Sequence, residues 1–341
     1  MDPLNKTSDT PLYLQLAEVL RAEIRSGNIQ PEEKLASEHT LMQQFHVSRM
    51  TVRNALSALV AEGLVVTHHG KGSFCASTPG KKNIDVLLNM SDHYFIPYYL
   101  QSISSVLEQN HAHLIAADTR NANPEIIKRL HAIARQGSNG IIIQGCPKPD
   151  WEAAAFSEAL TRLKEKGIPV IVIDHAYPLE DVCTAAMDET GIGRMAADYL
   201  FRKGHRQVAA ICVPQDALSE RRFAGFSEIF PDTLQVFHSG EQHSPLLDAT
   251  AAGVTAFFCY NDTVAQACMD RLKDEGYRIP EDVSIISVDN TILAHAYGIT
   301  SVAHAKTLIG EYAAEQILSA CPQSKIFAPV LVERRSVRQI P

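Results

Sequence analysis

The sequence predicts an α/β chain in two parts: a small head of three helices and a two-stranded ribbon, then a larger body of parallel sheets flanked by helices. Three observations carry that expectation. At 341 residues the chain exceeds one ordinary domain of roughly 150 residues. Its first 76 residues place apolar side chains at helical spacing and then switch to two short extended runs. From Ile84 onward, short apolar runs alternate with helical stretches, the order of βαβ units.

Composition narrows the class. Apolar residues make up 45% and charged residues 21%, near the globular average, which excludes a disordered or collagen-like chain. No uncharged apolar run nears the roughly 18 residues of a membrane span. No apolar segment follows Met1–Lys6 as a secretory signal requires, so a cytoplasmic location is expected. Seven scattered cysteines with no Cys-x-x-Cys pair read as reduced core thiols. The net charge of −8 argues against indiscriminate coating of nucleic acid. Residues 1–82 hold nine Lys and Arg against eight Asp and Glu, and the remainder 22 against 31. Any basic surface on the head must therefore come from local placement.

In the head, Leu12, Leu16, Val19, Leu20 and Ile24 recur at helical spacing and stop at Gly27. After a turn through Pro31, Ser37 opens a short helix with Leu41, Met42 and Phe45. Ser48 caps a third helix, with Val52, Ala55, Leu56 and Leu59 inward, which Gly63 ends. Strands Leu64–His68 and Ser73–Ala76 flank Gly70-Lys71-Gly72. This is the layout of a winged helix-turn-helix. Arg49 and Arg53 share one face of the third helix, with Met50, Thr51 and Asn54 around them. A helix entering the major groove reads bases with its N-terminal residues, and Arg bonds guanine O6 and N7 together. His69, Gly70 and Lys71 at the ribbon tip are placed to reach a phosphate or the minor groove.

The run from Pro11 through L35-A-S-E, F45-H-V-S-R-M-T-V-R-N-A-L, E62-G-L-V and G70-K-G-S-F resembles the DNA-binding domain of the GntR family over about residues 11–76. The resemblance implies contacts with double-stranded operator DNA from Ser48, Arg49, Thr51, Arg53, His69 and Gly70. Two positions depart from the pattern. Ala36 stands where the family usually has proline, and His39 where many members carry a DNA-contacting arginine.

Ser77–Lys82 is small, polar and basic, so the expected organisation is a head over 1–76, a linker over 77–83 and a body over 84–341. Strands are expected at Ile84–Leu88, His113–Ala117, Gly140–Ile143, Pro169–Ile173, Val208–Val213, Ala256–Tyr260 and Val283–Val288, with helices between. Ligands in such folds bind beyond the C-terminal strand ends. Polar residues gather there: Asn89 to Phe95, Gln144, Asp174-His175, Arg222 at a helix start, Asn261-Asp262 and Asp289-Asn290. Carboxylates, amides and Arg exchange hydrogen bonds with vicinal hydroxyls, and aromatic rings pack on C–H faces, which suits a sugar-like polyol.

V172-I-D-H, K203-G-H-R-Q-V-A-A-I, E220-R-R-F-A-G-F, C259-Y-N-D and E281-D-V-S-I-I-S-V-D-N resemble the LacI/GalR regulatory domain, itself similar to periplasmic sugar-binding proteins, over about 84–338. The resemblance implies a two-lobed, periplasmic-binding-protein-like body that dimerises. It implies effector contacts from Asp174, Arg222, Asn261 and Asp289, joined by the loop carrying Asp92, Tyr94 and Phe95, with Gln144 added from its strand end. A GntR-type head on such a body resembles the arabinose-repressor family of bacteria. Asn290 replaces a frequent second aspartate, and the stretch from Gly225 to Phe257 is shorter than usual in the family.

The expectation is thus a homodimeric transcriptional repressor released from its operator by a monosaccharide such as L-arabinose. An alternative rests on Gly191-Ile192-Gly193-Arg194-Met195-Ala196, which fits the dinucleotide pattern G-x-G-x-x-A with Asp216 beyond it. It would make the chain an oxidoreductase or nucleotide sensor; a regulator of a non-sugar metabolite is a further alternative. Asp188 and Glu189 directly before that motif would repel a pyrophosphate, so a tight turn into a helix is expected there instead. His68-His69, His111/His113 and His238/His243 lack metal-ligand spacing, and no G-x-S-x-G elbow occurs. Cys212 and Cys259 fall within apolar strands, where thiols are commonly inert. Neither catalysis, cofactor nor metal is expected.

Overall fold

The computed structural model describes residues 4, 10–68, 70–76, 82–91, 93–146, 153–174, 182–232, 234–237 and 244–341. The head comprises α1 (Leu12–Arg25), α2 (Glu38–Phe45) and α3 (Arg49–Ala61), then β1 (Val65–His68) and β2 (Gly72–Cys75). Ser37 and Ser48 cap α2 and α3 by accepting from the amides of Thr40 and Thr51, each at 3.1 Å. Between the caps, His46 takes the left-handed conformation that ends α2, at φ 53°. Leu16, Leu20, Leu41, Val52, Ala55 and Leu59 close the core from all three helices. Arg21 of α1 grips Glu62 after α3 with Nε and Nη2 at 2.7 and 2.6 Å, a bidentate pair. The ribbon is antiparallel with His68 opposite Gly72.

The body has two lobes. In the first, β3 (Lys82–Leu88), β4 (Ala112–Asp118), β5 (Gly140–Gln144), β6 (Val170–Asp174) and β7 (Cys183–Met187) alternate with α4 (Ile96–Gln109), α5 (Asn123–Gln136) and α6 (Ala153–Glu165). The second begins with α7 (Glu189–Arg202), β8 (Val208–Cys212), α8 (Ala217–Ser227), β9 (Leu234–Phe237), α9 (Ser244–Ala251) and β10 (Ala256–Cys259). It continues with α10 (Asp262–Asp274), β11 (Ser284–Asp289), α11 (Ile292–Tyr297) and β12 (Thr300–Ala303). Helix α12 (Lys306–Leu318) then returns to pack on α4 and β6 of the first lobe. Strand β13 (Lys325–Phe327) joins β7, and β14 (Val330–Val332) joins β12. The strand orders are β13-β7-β6-β5-β3-β4 and β14-β12-β11-β10-β8-β9, and only β14 runs antiparallel.

Central strands such as Gly-Ile-Ile-Ile of β5 and Ala-Phe-Phe-Cys of β10 are buried throughout, as parallel strands covered on both faces require. Asp262, also buried, accepts from the Thr291 amide at 2.6 Å, from Ser301 Oγ at 2.8 Å and from Ser287 Oγ, tying α10 to β11 and β12. Among the described residues the chain crosses between lobes after Met187, after Ala303 and after Phe327. The crossings touch one another: the Asp188 amide donates to the Phe327 carbonyl at 3.0 Å, and the Ala305 amide to Met187 Sδ at 3.4 Å.

Several expectations change. Strand β3 starts at Lys82 rather than Ile84, and α7 already starts at Glu189, ahead of the Gly191 motif. Strands β7, β9, β12, β13 and β14 and helices α9 and α11 lie outside the expected set, and α8 begins five residues before the helix start expected at Arg222. Most of these elements are short, and periodicity over three to five residues carries little signal. Among the described residues, the shortened stretch between α8 and β10 holds the four-residue β9 and the eight-residue α9. The Gly191–Ala196 motif is no strand-to-helix turn, since its glycines lie inside α7. A Cβ on Gly193 would sit 1.8 Å from the Arg222 carbonyl oxygen, and one on Gly225 1.9 Å from that of Thr190. These glycines let α7 and α8 cross with their backbones in contact. Among the described residues no helix is long and apolar enough to cross a membrane.

Candidate functional site

A cavity of about 240 Å³ opens between the lobes at the C-terminal strand ends. It is below the ~300–1,000 Å³ of drug-sized ligand pockets. Of the residues singled out in the sequence, Phe95, Gln144, Asp174, Arg222, Asn261 and Asp289 line it together. Tyr94 does not; it is 44% exposed outside the cavity. Asp92 and His175 lie outside the described residues, as does His69 of the ribbon tip.

The first-lobe wall is organised around Asp174 at the end of β6. One carboxylate oxygen accepts from Tyr99 Oη and lies 3.1 Å from His304 Nε2; the other accepts from Gln144 Nε2 at 2.8 Å. Burial opposes ionisation, but the bonds from His304, Tyr99 and Gln144 outweigh it and hold the carboxyl below its ordinary range. Gln144 is held between the two strand ends, its Oε1 accepting from the Asn89 amide at 3.0 Å. It positions Asp174 and still lines the cavity with one amide hydrogen to spare. Phe95 packs edge-on against His304 at 4.8 Å between centroids and supplies the aromatic face.

Arg222 dominates the second-lobe wall. It stands in the middle of α8 rather than at a helix start, with its side chain 5% exposed. Nε donates to Glu189 Oε2 at 2.6 Å and Nη1 to the Tyr260 carbonyl at 2.8 Å. Nη2 is 3.9 Å from Asp289 Oδ1, too far for a hydrogen bond. Burial opposes the guanidinium charge, yet Glu189 and Asp289 more than restore it. Burial pushes the Asp289 carboxyl up to about 6, with Arg222 only partly offsetting it. Asn261 caps α10 by accepting from the Val264 amide at 2.9 Å, so its nitrogen rather than its oxygen is offered to a ligand. Asp216 likewise caps α8, accepting from the Ser219 amide at 2.8 Å, which is a structural reason for the acid that the dinucleotide pattern noticed.

The sequence reading missed two contributors. His304 lies in the second crossing between lobes, lines the cavity, and among the described residues its buried Nδ1 has no hydrogen-bond partner. Lys306 donates to the Asp289 carbonyl at 2.6 Å, and its Nζ lies 5.4 Å from the Phe95 ring centroid. Neither sits at a strand end of a foreseen strand. The signal available was the polar pair His304 and Lys306 directly after an apolar run.

On the head, Arg49, Arg53, His39, Gly70 and Lys71 are all exposed. Ser48 Oγ receives the Thr51 amide and lies 2.8 Å from Thr51 Oγ1, so these two residues build the helix cap that aims the arginines. Glu38, also missed, joins Arg49 Nε at 2.8 Å and Arg53 Nε at 3.1 Å. The arginine bonds hold its carboxyl below the ordinary range, Arg49 foremost. Gly70 turns the ribbon with φ 75°. Among the described residues no cluster of three His, Cys, Asp or Glu gathers as a metal site would need.

Residues 12–75 match the bacterial regulatory proteins of the gntR family, and residues 197–337 the periplasmic binding protein-like domain. The chain is similar to an arabinose metabolism transcriptional repressor of Geobacillus stearothermophilus, 27% identical over 98% of this chain and 100% of that one. A second arabinose metabolism transcriptional repressor, from Halalkalibacterium halodurans, is 26% identical over 96% of each chain. A LacI family transcriptional regulator from Enterococcus faecium, solved with bound ribose, superposes with a TM-score of 0.64 at 22% identity, over 76% of this chain and 100% of that one. That last likeness is one of fold.

Proposed function

For a chain that carries a gntR-family DNA-binding domain on a periplasmic binding protein-like body, we propose the function of a transcriptional repressor released from operator DNA by a monosaccharide, L-arabinose or a similar pentose. The observation that carries this reading is the convergence of Asp174, Arg222, Asn261, Asp289 and His304 on one small cavity between the lobes. Arg222 Nη2, the Asn261 amide nitrogen and the two aspartates offer donors and acceptors on opposite walls, as a ring of vicinal hydroxyls requires. Phe95 supplies a face for the sugar's C–H groups. Acidic groups outnumber cations around the cavity, which favours a neutral sugar over a phosphorylated one.

The two full-length relatives named above, both repressors of arabinose metabolism, support the same reading. The head spans residues 1–76 and the body 84–341. Two bodies pair, setting two α3 helices on a two-fold operator. The sugar bridges both walls, draws the lobes together and favours the state in which the heads no longer match their half-sites. Such a switch works only through unequal affinity of the sugar for the two states. The protein acts in the cytoplasm without catalysis.

The test is the thermal midpoint of the full chain against pentoses, hexoses, sugar phosphates, nucleobases and NADH. A ligand at a hundred times its dissociation constant stabilises the fold by about 2.7 kcal/mol. The reading expects a shift with L-arabinose or one close pentose. A shift with NADH or a nucleobase and none with any sugar would overturn it.

A further inference from the structure

The head rests on the first lobe at the end opposite the sugar cavity. Gly137, just after α5, lies so close to α3 that a Cβ there would come within 2.3 Å of Val60 Cγ1. Two residues on, Asn139 Nδ2 donates to the carbonyl of Ala61, the last residue of α3. Asn139 is held from behind: its Oδ1 accepts from the Asn83 amide at 2.8 Å, and its own amide donates to the Asn83 carbonyl at 3.0 Å. Beside this contact a cavity of about 210 Å³ separates Val65 and Val66 of β1 from Ile115, Ile133 and Asp85 of the lobe. The DNA-reading end of α3, with Arg49 and Arg53, remains exposed.

The same two strands serve both ends. Strand β3 leads from Asn83 under the head to Leu88, directly before Asn89 at the sugar cavity, and β5 links Asn139 to Gln144 within five residues. Fully paired central strands are stiff elements, so a rotation of the first lobe is delivered to whatever is fixed at its far end. We propose that the seam of Val60 and Ala61 against Gly137 and Asn139 fixes the winged helix to the first lobe, and that this seam transmits lobe movement to the DNA-reading helix. The coupling rests on the repressor reading; the docking does not.

The experiment places a fluorophore on the head at exposed Gln43→Cys, with Cys183 and Cys321 replaced by Ser, and follows anisotropy decay of the full chain. Docking predicts that the label tumbles with the whole molecule. Asn139→Asp keeps the acceptor for Asn83 but turns the donor to Ala61 into a repelling oxygen, and Val60→Lys breaks the seam from the head side. Each variant is expected to add a fast nanosecond component. A fast component already present in the parent, or none in either variant, overturns the proposal.

A second arm separates the coupling from the function. Where L-arabinose weakens DNA binding of the parent, both variants should bind the sugar unchanged but lose most of that weakening; full retention of it in an undocked variant overturns the coupling. No effect of L-arabinose on the parent counts against the repressor reading, while the docking stands or falls on the anisotropy alone.

Discussion

Asp174 and Asp289 end central strands of the two lobes with the same left-handed backbone, φ 70° and 99°, yet their surroundings drive the two carboxyls in opposite directions. Asp174 is met by three hydrogen-bonding side chains, which overcome its burial. Asp289 has Arg222 at 3.9 Å, and burial wins. Non-glycine residues in this backbone region are uncommon and concentrate where function maintains them. The cleft therefore holds one carboxylate and one carboxyl that titrates at about 6.

A carboxyl raised on folding from 3.8 to about 6 binds its proton more tightly in the fold. Its stabilising contribution is fully present below pH 3.8 and is lost as pH rises through 6. Asp289→Asn, neutral throughout, is predicted to stabilise the ligand-free protein at pH 7 by about 1–3 kcal/mol and to give little at pH 4. Sugar affinity of the parent should fall below pH 6, as Asp289 loses acceptor capacity. Denaturant melts at the two pH values check this, and equal gains at both would contradict it.

Arg222→Ala removes the partner of buried Glu189, and an unpaired buried charge costs about 3–5 kcal/mol. The variant should melt early and ignore sugar. Adding Glu189→Gln should recover much of the stability without the sugar response, because Nη2 is still missing. Ligand titration by calorimetry on the double variant is the check; normal sugar binding there would remove Arg222 from the site.

Gly193→Ala drives a methyl into the Arg222 carbonyl, backbone that has no rotamer to yield. The expected cost is at least the ~1–3 kcal/mol of overpacking, together with weaker sugar binding, since α8 carries Arg222. A variant with the parent's melting point and affinity would show that the two helices need no such close crossing.

On the head, Arg49→Ala and Arg53→Ala are each predicted to cost about 1–3 kcal/mol of operator binding. Glu38→Gln should act the other way on DNA of arbitrary sequence. It removes a negative charge that holds both arginines and would face phosphates, so non-specific binding tightens and its salt dependence steepens. Titrations between about 50 and 200 mM salt give the slope; an unchanged slope would place Glu38 away from the DNA.

The parts legible in the sequence were those with long-range pattern. Arg49 and Arg53 stood out through helical spacing behind a serine cap, and Asp174 and Asp289 because each closes an apolar run. What stayed hidden depends on partners distant in the chain. Glu189 looked like a charge that forbids a nucleotide, and only the α7–α8 crossing reveals it as the mate of Arg222, 33 residues on. His304 belongs to a crossing between lobes that periodicity cannot show, and Glu38 acts across a helix-turn-helix angle. Gln144 was found at its strand end, but its use in holding Asp174 appears only with both hydrogen bonds in view.

The most direct test of the account is the affinity of the full chain for a duplex that it selects from random-sequence DNA, measured by fluorescence anisotropy with and without saturating L-arabinose. The account predicts that the sugar weakens binding by about 5–150-fold, the usual range of coupling between two sites, and that Arg222→Ala binds the duplex normally but does not respond. Unchanged affinity at a sugar concentration that demonstrably raises the melting point would contradict it, because the sugar would then occupy the cleft without biasing the DNA-binding state.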